Sequence, residues 1–375
     1  MFSLLDRMEE LELEITSKCN ARCPGCSRTV DGETTPDIHV QDFPYEDFVK
    51  GVPPHVIKGK DMLFSGVYGD PVMHKDLDKI VDYLIESGAR RVHIQTNGGI
   101  QTTDWWAKLG SKCKKVNGIQ RLKVYWNLDG HRETNHFYRV NVNFDKAINN
   151  MRAYMDAGGR GTWQYLVFEH NKHEVELARQ EAESIPITFA VRKSTRNKEP
   201  WVSKIKQKVN GKIETKVIEI NAPEDKKYKH SQVDKHAKLL DKKVFDNKKT
   251  VKENKLAKTI KCRLIHSSRA FLGYDGTVWP CCWFHQILRT PGDSKQAIKD
   301  QSILRSLTTK FGLGWNNIRT HSWEEILGGE YYGRLLEESW RDPDNELYIN
   351  KCVKQCSHYG AFTTIERDIL HQRKK

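Results

Sequence analysis

Three cysteines spaced C-x3-C-x2-C, in Cys19-Asn-Ala-Arg-Cys23-Pro-Gly-Cys26, constrain this 375-residue chain more than any other feature. They follow directly on the strand-like run from Leu11 to Thr16. Three thiolates on one short loop can bind three irons of a four-iron cube and leave the fourth iron without a protein ligand. An open iron can be chelated by a small molecule that carries an amino and a carboxylate group. The alternatives are a zinc knuckle and a set of reduced core cysteines. Zinc wants four ligands, and no fourth Cys or His lies near on this loop.

The length suits one large domain with an appendage, or two domains. Met1-Phe2-Ser3-Leu4-Leu5 is followed at once by charged residues, which is not a secretory signal, and no run approaches a membrane span. The expectation is a cytoplasmic protein with no membrane partner, whose nine cysteines serve metal or redox ligation over disulfides.

From residue 10 to 192, strand-like runs alternate with amphipathic stretches. The strands read as 11–16, 61–66, 91–96, 122–128, 162–168 and 186–191, with helices near 42–50, 75–87, 101–110, 144–157 and 172–183. In 75–87, Leu77, Ile80, Val81 and Leu84 keep the helical period. Six strands separated by helices predict a parallel sheet with right-handed crossovers, an α/β fold of the partial (β/α)6 TIM-like barrel kind. The active site of such a barrel lies at the C-terminal ends of its strands.

Residues 197–258 interrupt this order with 18 Lys, no Arg and 9 acidic residues, most of the net charge of +13. Lys204–Val209, Asn210-Gly211 and Lys212–Ile220 read as a β-hairpin with a type I′ turn. A charged helical stretch with Leu239, Leu240 and Val244 follows Pro223. The insertion is either a solvated excursion or a basic guide for a substrate. Further on, Ala270–Trp279 predicts a second hairpin turning at Asp275-Gly276, and Trp323–Leu327 and Tyr331–Trp340 predict short helices. The expected domains are a barrel over 10–192, the Lys-rich insertion over 193–260 and a small Cys-rich α+β domain over 261–375.

The motifs at the strand ends resemble one family in combination. Phe64-Ser65-Gly66-Val67-Tyr68-Gly69-Asp70-Pro71 is similar to a Gly-Gly-Glu-Pro segment, with Asp70 in place of Glu. Ile94-Gln95-Thr96-Asn97-Gly98 is similar to a Thr-Asn-Gly segment. Val124–Gly130, with Arg139 twelve residues beyond Asn127, is similar to a Ser-Leu-Asp-Gly…Arg arrangement. Together with the C-x3-C-x2-C loop these resemble the radical S-adenosylmethionine (SAM) superfamily. The resemblance implies a [4Fe–4S] cluster on Cys19, Cys23 and Cys26, which would be the catalytic center. It implies contacts to SAM from Ser65, Gly66, Gly69 and Asp70 on its amino group, from Asn97, and from Asn127 and Arg139 on its carboxylate. Glycine is expected at 66 and 69 because the backbone must approach the ligand closely. One departure is Gly25, where the superfamily usually has an aromatic residue near the adenine; that stacking must be absent or come from elsewhere.

The tail offers Cys262, Cys281 after a gap of 18, and Cys352-x3-Cys356. Cys262-x13-Gly276-x4-Cys281 resembles the opening of a SPASM or twitch domain, as do Asn317-Ile318 and Ser322–Ile326. The later cysteines of a full SPASM domain are missing, which favors the twitch form with one auxiliary [4Fe–4S] cluster. Cys282 can replace Cys281, and a structural zinc site is the alternative. Cys113 has no partner by sequence and is expected in the core.

The resemblance implies an iron–sulfur oxidoreductase or modifying enzyme. It would cleave SAM reductively to a 5′-deoxyadenosyl radical and abstract hydrogen from a peptide or protein side chain or backbone. A one-electron donor such as flavodoxin or ferredoxin would be its partner. Only about ten residues precede the barrel, so a leader-peptide-binding domain is not expected there. The alternatives are a dehydrogenase or synthase acting on a small molecule, and a nucleic-acid-binding protein using its Lys-rich insertion. The insertion's lack of Arg and scarcity of aromatics for base stacking count against the last.

Overall fold

The computed structural model describes residues 3–30, 33–36, 38–113, 120–194, 200–209, 212–229, 260–289, 294–342, 344–356 and 365–368. Six strands carry the barrel: β1 (Glu10–Leu13), β2 (Asp61–Phe64), β3 (Arg91–Thr96), β4 (Leu122–Asn127), β5 (Gly161–Leu166) and β6 (Thr188–Ser194). They pair in sequence order and in parallel, with Leu13 beside Phe64, Ile94 beside Val124 and Tyr165 beside Val191. The helices between them are α1 (Tyr45–Gly51), α2 (Leu77–Glu86), α3 (Thr103–Ser111), α4 (Phe144–Asp156) and α5 (Val175–Ser184). The partial (β/α)6 barrel read from the sequence is the fold of this protein.

The period-2 pattern explains how the sheet sits. Val92, Ile94, Val124 and Trp126 are buried in one core with Leu77, Ile80, Val81 and Leu84 of α2, the stripe that its spacing predicts. Trp106 of α3, Trp126 of β4 and Tyr154 of α4 pack ring against ring beneath the sheet. The alternate positions are polar: His93 stands beside Lys123, Gln95 beside Tyr125, and Asn127 beside Gln164. The concave face of the barrel is therefore lined with hydrogen-bonding groups.

Strands β7 (Trp201–Val209) and β8 (Lys212–Ile220) form the predicted ribbon, antiparallel with Val209 beside Lys212. The helix expected beyond residue 230, with Leu239, Leu240 and Val244, lies outside the described residues. The second hairpin also forms, as β9 (Arg269–Leu272) and β10 (Val278–Trp279). β9 pairs in parallel with β1, Leu13 beside Leu272, and continues the barrel sheet on that side. At the far edge β11 (Ile365–Asp368) pairs antiparallel with β6. The sheet thus has nine strands in the order β10-β9-β1-β2-β3-β4-β5-β6-β11. Among the described residues, no helix is long and apolar enough to cross a membrane.

Candidate active site

The cysteine loop leaves β1 and is fastened at several points. The Cys26 amide donates to the Cys23 carbonyl at 3.0 Å, closing the loop as a turn. Asn97 donates its side-chain amide to the Asn20 oxygen at 2.9 Å, while its own oxygen accepts from the Gly99 amide at 2.9 Å. Arg28, which is buried, donates to the carbonyls of Ser17 and Tyr68 and so ties the loop to the end of β2. Cys26 lies within reach of the Val67 carbonyl, at 3.7 Å.

The segment after β2 wraps around a residue that the motif comparison does not contain. Glu14, buried just beyond β1, accepts from the amides of Val67 at 2.9 Å, Tyr68 at 2.5 Å and Gly69 at 3.4 Å. Gly69 is required by this packing: a Cβ there would stand 1.9 Å from the Thr16 carbonyl. The close approach that excludes a side chain is therefore one of backbone to backbone. Ser65 donates to Glu12 at 2.5 Å. Asp70 is buried and saturated, accepting from the Val72 amide at 3.1 Å, the Thr96 hydroxyl at 3.0 Å and the Asn97 amide at 2.8 Å. Burial pushes its carboxyl up, against the pull of those donors. The carboxylate binds the ends of β2 and β3 to each other.

Arg139 reaches the same place from the turn after Tyr138. Its Nε and Nη2 both lie 2.7 Å from one oxygen of Asp129, and its Nη1 lies 3.7 Å from Cys23 Sγ. The other oxygen of Asp129 accepts from the Leu166 amide at 2.7 Å. Asn127 ends β4 opposite Gln164 on the polar face of the sheet. The structure thus brings Cys19, Cys23, Cys26, Ser65, Gly66, Gly69, Asp70, Asn97, Asn127 and Arg139 to the C-terminal ends of β1 to β4.

The three loop thiols are mostly buried and repel one another. Burial first, then Asp70 and the neighboring thiols, pushes Cys19 far above its ordinary value, and burial pushes Cys23 up to about 11 against the pull of Arg139. Cys113 shows the contrast, since it is a core thiol with partners of its own: the Tyr154 hydroxyl at 3.0 Å and the Leu122 carbonyl at 3.6 Å. Three thiols gathered on one loop suit a cationic metal center, which thiolates can neutralize.

A second set of thiols converges from three segments. Cys262 precedes a helical turn, Cys281 follows β10, and Cys352 and Cys356 lie one turn apart on α7 (Asn350–Cys356). Asp300 caps that helix through the amides of Asn350 and Lys351 at 3.2 and 3.0 Å. The Cys352 thiol feels Cys281, Cys356 and Cys262, and burial raises it well above its ordinary value. Cys282 faces Arg263 at 3.9 Å, and Arg263 also meets Glu12 at 3.3 Å.

His285 is fully buried on α6 (Cys282–Arg289). Its Nδ1 is 3.3 Å from Glu14 and its Nε2 is 3.4 Å from Asp275, ion-pair distances at angles too poor for hydrogen bonds. Arg289 is 2.5 Å from the same Asp275 oxygen. The motifs did not contain Glu12, Glu14, Arg28, Arg263 or His285, and contained Asp129 without giving it a role. One signal was present, since glutamates at 10, 12 and 14 alternate with Leu11, Leu13 and Ile15 on a strand that is buried on both faces.

Gly25 is covered from outside the loop. A Cβ on Gly25 would stand 2.3 Å from the ring of Trp201, the first residue of β7. Trp201 stacks in turn on Tyr138, with ring centers 6.0 Å apart, and meets Phe168 edge-on at 6.1 Å.

No curated protein matches the chain. Solved structures that it resembles include Streptococcus suis SuiB bound to precursor peptide SuiA, at 12% identity over 90% of this chain and 65% of that one, with a TM-score of 0.43. Others are anSMEcpe with bound AdoMet (12% identity, 92% of each chain, TM-score 0.48) and BtrN in complex with AdoMet and 2-DOIA (14%, 93% and 92%, TM-score 0.37). The chain therefore spans slightly less than two thirds of SuiB. The family model described as the Radical SAM superfamily matches residues 13–181, from the end of β1 through the cysteine loop and the motifs at the ends of β2 to β4. Over this segment the chain is similar to the Radical SAM superfamily.

Proposed function

We propose that this protein is a radical SAM enzyme that removes a hydrogen atom from a peptide or protein side chain or backbone. The observation that carries the reading is the convergence of Cys19, Cys23 and Cys26 with the ends of β2, β3 and β4. When bound, a [4Fe–4S] cluster on those thiolates, with SAM on its open iron, supplies a 5′-deoxyadenosyl radical upon one-electron reduction. The chain's own share is to bind, orient and exclude water. Glu14 and Arg28 fix the loop of residues 65–69 against the cysteine loop, and Asp70 fixes the ends of β2 and β3. Asn127 and the Cys23-facing edge of Arg139 are the groups assigned to the SAM carboxylate, and Asp129 holds that guanidinium in place. Trp201 supplies the ring that residue 25 lacks. Cys262, Cys281, Cys352 and Cys356 are assigned to one auxiliary [4Fe–4S] cluster of the twitch kind. Cys281 is taken as the fourth ligand, with the adjacent Cys282 as its alternative. The barrel followed by a cysteine-rich tail, a layout that in this superfamily goes with peptide modification, supports the substrate class.

Anaerobic reconstitution should give about eight irons and eight sulfides per chain, as two four-iron cubes require. Replacing Cys19, Cys23 and Cys26 with Ala should leave about half of each. Reduced protein should form 5′-deoxyadenosine from SAM, and Cys23→Ala should abolish this. A wild-type preparation that holds zinc alone would refute the assignment.

A further inference from the structure

The ribbon of β7 and β8 has two unlike faces. On the inner face, Ser203, Ile205 and Ile220 are buried. Trp201 lies against Gly25, Tyr138 and Phe168 there, and Lys216 stands over the Phe137 ring at 5.6 Å. The Glu169 amide donates to the Asn221 carbonyl at 3.0 Å, fastening the end of the ribbon beside β5. The ribbon is therefore seated on the rim of the barrel next to the cysteine loop.

The outer face follows from the register: Val202 is opposite Glu219, Lys204 opposite Val217, and Lys206 opposite Thr215. Both lysines are exposed, and Val202, Val217 and Ile213 are 49%, 60% and 76% exposed. Residues 201–220 hold five Lys and two Glu. Aliphatic side chains left in water among lysines make a surface that gains by covering, and its charge selects an acidic cover. Side chains on one face of a strand recur about every 6.8 Å, so an extended chain matches the Lys204–Lys206 spacing.

We propose that the outer face of this ribbon docks an acidic, extended peptide segment bearing aliphatic side chains, and so delivers the adjoining part of that peptide to the barrel mouth. This rests on the peptide reading given above. A nucleic acid fits less well, because the exposed apolar groups are aliphatic and offer no ring for base stacking, and residues 197–258 contain no Arg. Trp201 on Gly25 gives the docked segment a fixed position relative to the cysteine loop.

The test uses full-length, anaerobically reconstituted protein and a fluorescein-labeled peptide of about 12 residues alternating Glu and Val, read by anisotropy. A Lys/Val peptide and an oligothymidylate of similar length serve as comparisons. The Glu/Val peptide should bind at least about tenfold more tightly than the Lys/Val peptide, and its affinity should fall about tenfold between about 50 and 300 mM salt. Lys204→Glu with Lys206→Glu should weaken it about tenfold or more at unchanged iron content. Val217→Ser should weaken it too, which charge alone would not do. Equal binding of the two peptides, no loss in the double variant, or tighter binding of the oligonucleotide overturns the proposal. If the acidic peptide docks as described but no peptide loses hydrogen, docking stands and the peptide reading of the reaction falls. If peptides are modified equally well by the double variant, docking alone falls.

Discussion

Asp129 holds Arg139 with one carboxylate oxygen and the Leu166 amide with the other, inside the protein. Removing one partner of a buried pair leaves the other charge uncompensated, which costs about 3–5 kcal/mol. Asp129→Ala should therefore lower the urea midpoint sharply, whereas Asp129→Asn, which can still accept from Leu166, should recover part of the loss. Equal loss in both variants would show that the ion pair, not the backbone contact, carries the whole effect. His285 is a second residue whose surroundings decide its state. Burial by itself would lower its pKa, but Asp275 and Glu14 prevail and raise it to about 9. Arg289 and Tyr274 also face this group and are paired with or packed on the same carboxylate and ring. A folded value above the ordinary 6.5 means that this contribution is complete below about pH 6.5 and is lost as pH rises through 9. Asp275 acts in the opposite sense: although burial opposes it, His285 and Arg289 hold its carboxyl far below the usual range, so its contribution fades only in strong acid. Between pH 6.5 and 9.5 the melting temperature of the wild type should fall more steeply than that of His285→Gln. Parallel curves would assign the titration to another group.

At the scale of elements, the ribbon of β7 and β8 is positioned by a size complement, a missing side chain at Gly25 and a large ring at Trp201. Gly25→Leu should push the ring out, and Trp201→Ala should leave a hole, so each single change should speed tryptic cleavage at Lys204 and Lys206. In the double variant leucine fills the space left by the indole, and cleavage should slow again. Such non-additivity is the mark of direct contact. A double variant that is cleaved as fast as the sum of the singles would mean that the ribbon is held from elsewhere. The elements themselves follow local rules. Thr102 and Asn143 cap α3 and α4 through bonds to Trp105 and Lys146, as short polar side chains at helix starts do.

The whole molecule is organized by one sheet that runs from the tail into the barrel. β9 covers the edge of β1, and Arg263 and His285 from the tail meet Glu12 and Glu14 on that strand. Ending the chain at residue 260 would uncover the backbone donors and acceptors of β1 and leave two buried carboxylates without their cations. An exposed edge of this kind pairs with other chains. The truncated barrel should therefore aggregate on expression, and size-exclusion chromatography should find it in the void volume. A monomeric, folded truncation would show that the barrel stands without the tail. Among the described residues, Glu133, His173 and Glu174 come within metal-ligand reach of one another, but two of the three are exposed and Glu174 is already bonded to the His131 amide at 2.9 Å.

The sequence by itself determined the barrel and which candidate residues stand at its strand ends. Strand and helix periods depend on neighbors in the chain, so the six strands, the α2 stripe of Leu77, Ile80, Val81 and Leu84, and both hairpins were legible from local pattern. The cysteine loop and the motif residues at strand ends were legible because a strand end fixes where a side chain sits in a parallel barrel. Only the tertiary structure decided what those residues bind to. That Asp70 is saturated by Thr96 and Asn97, that Arg139 is committed to Asp129, and that Trp201 covers Gly25 are contacts between residues 10 to 176 positions apart. Their partners are chosen by how strands and loops stack in space, which no spacing within one segment encodes. For the same reason the pairing of β9 with β1 was not legible: a parallel partner is selected by an open edge and a buried face, not by distance along the chain.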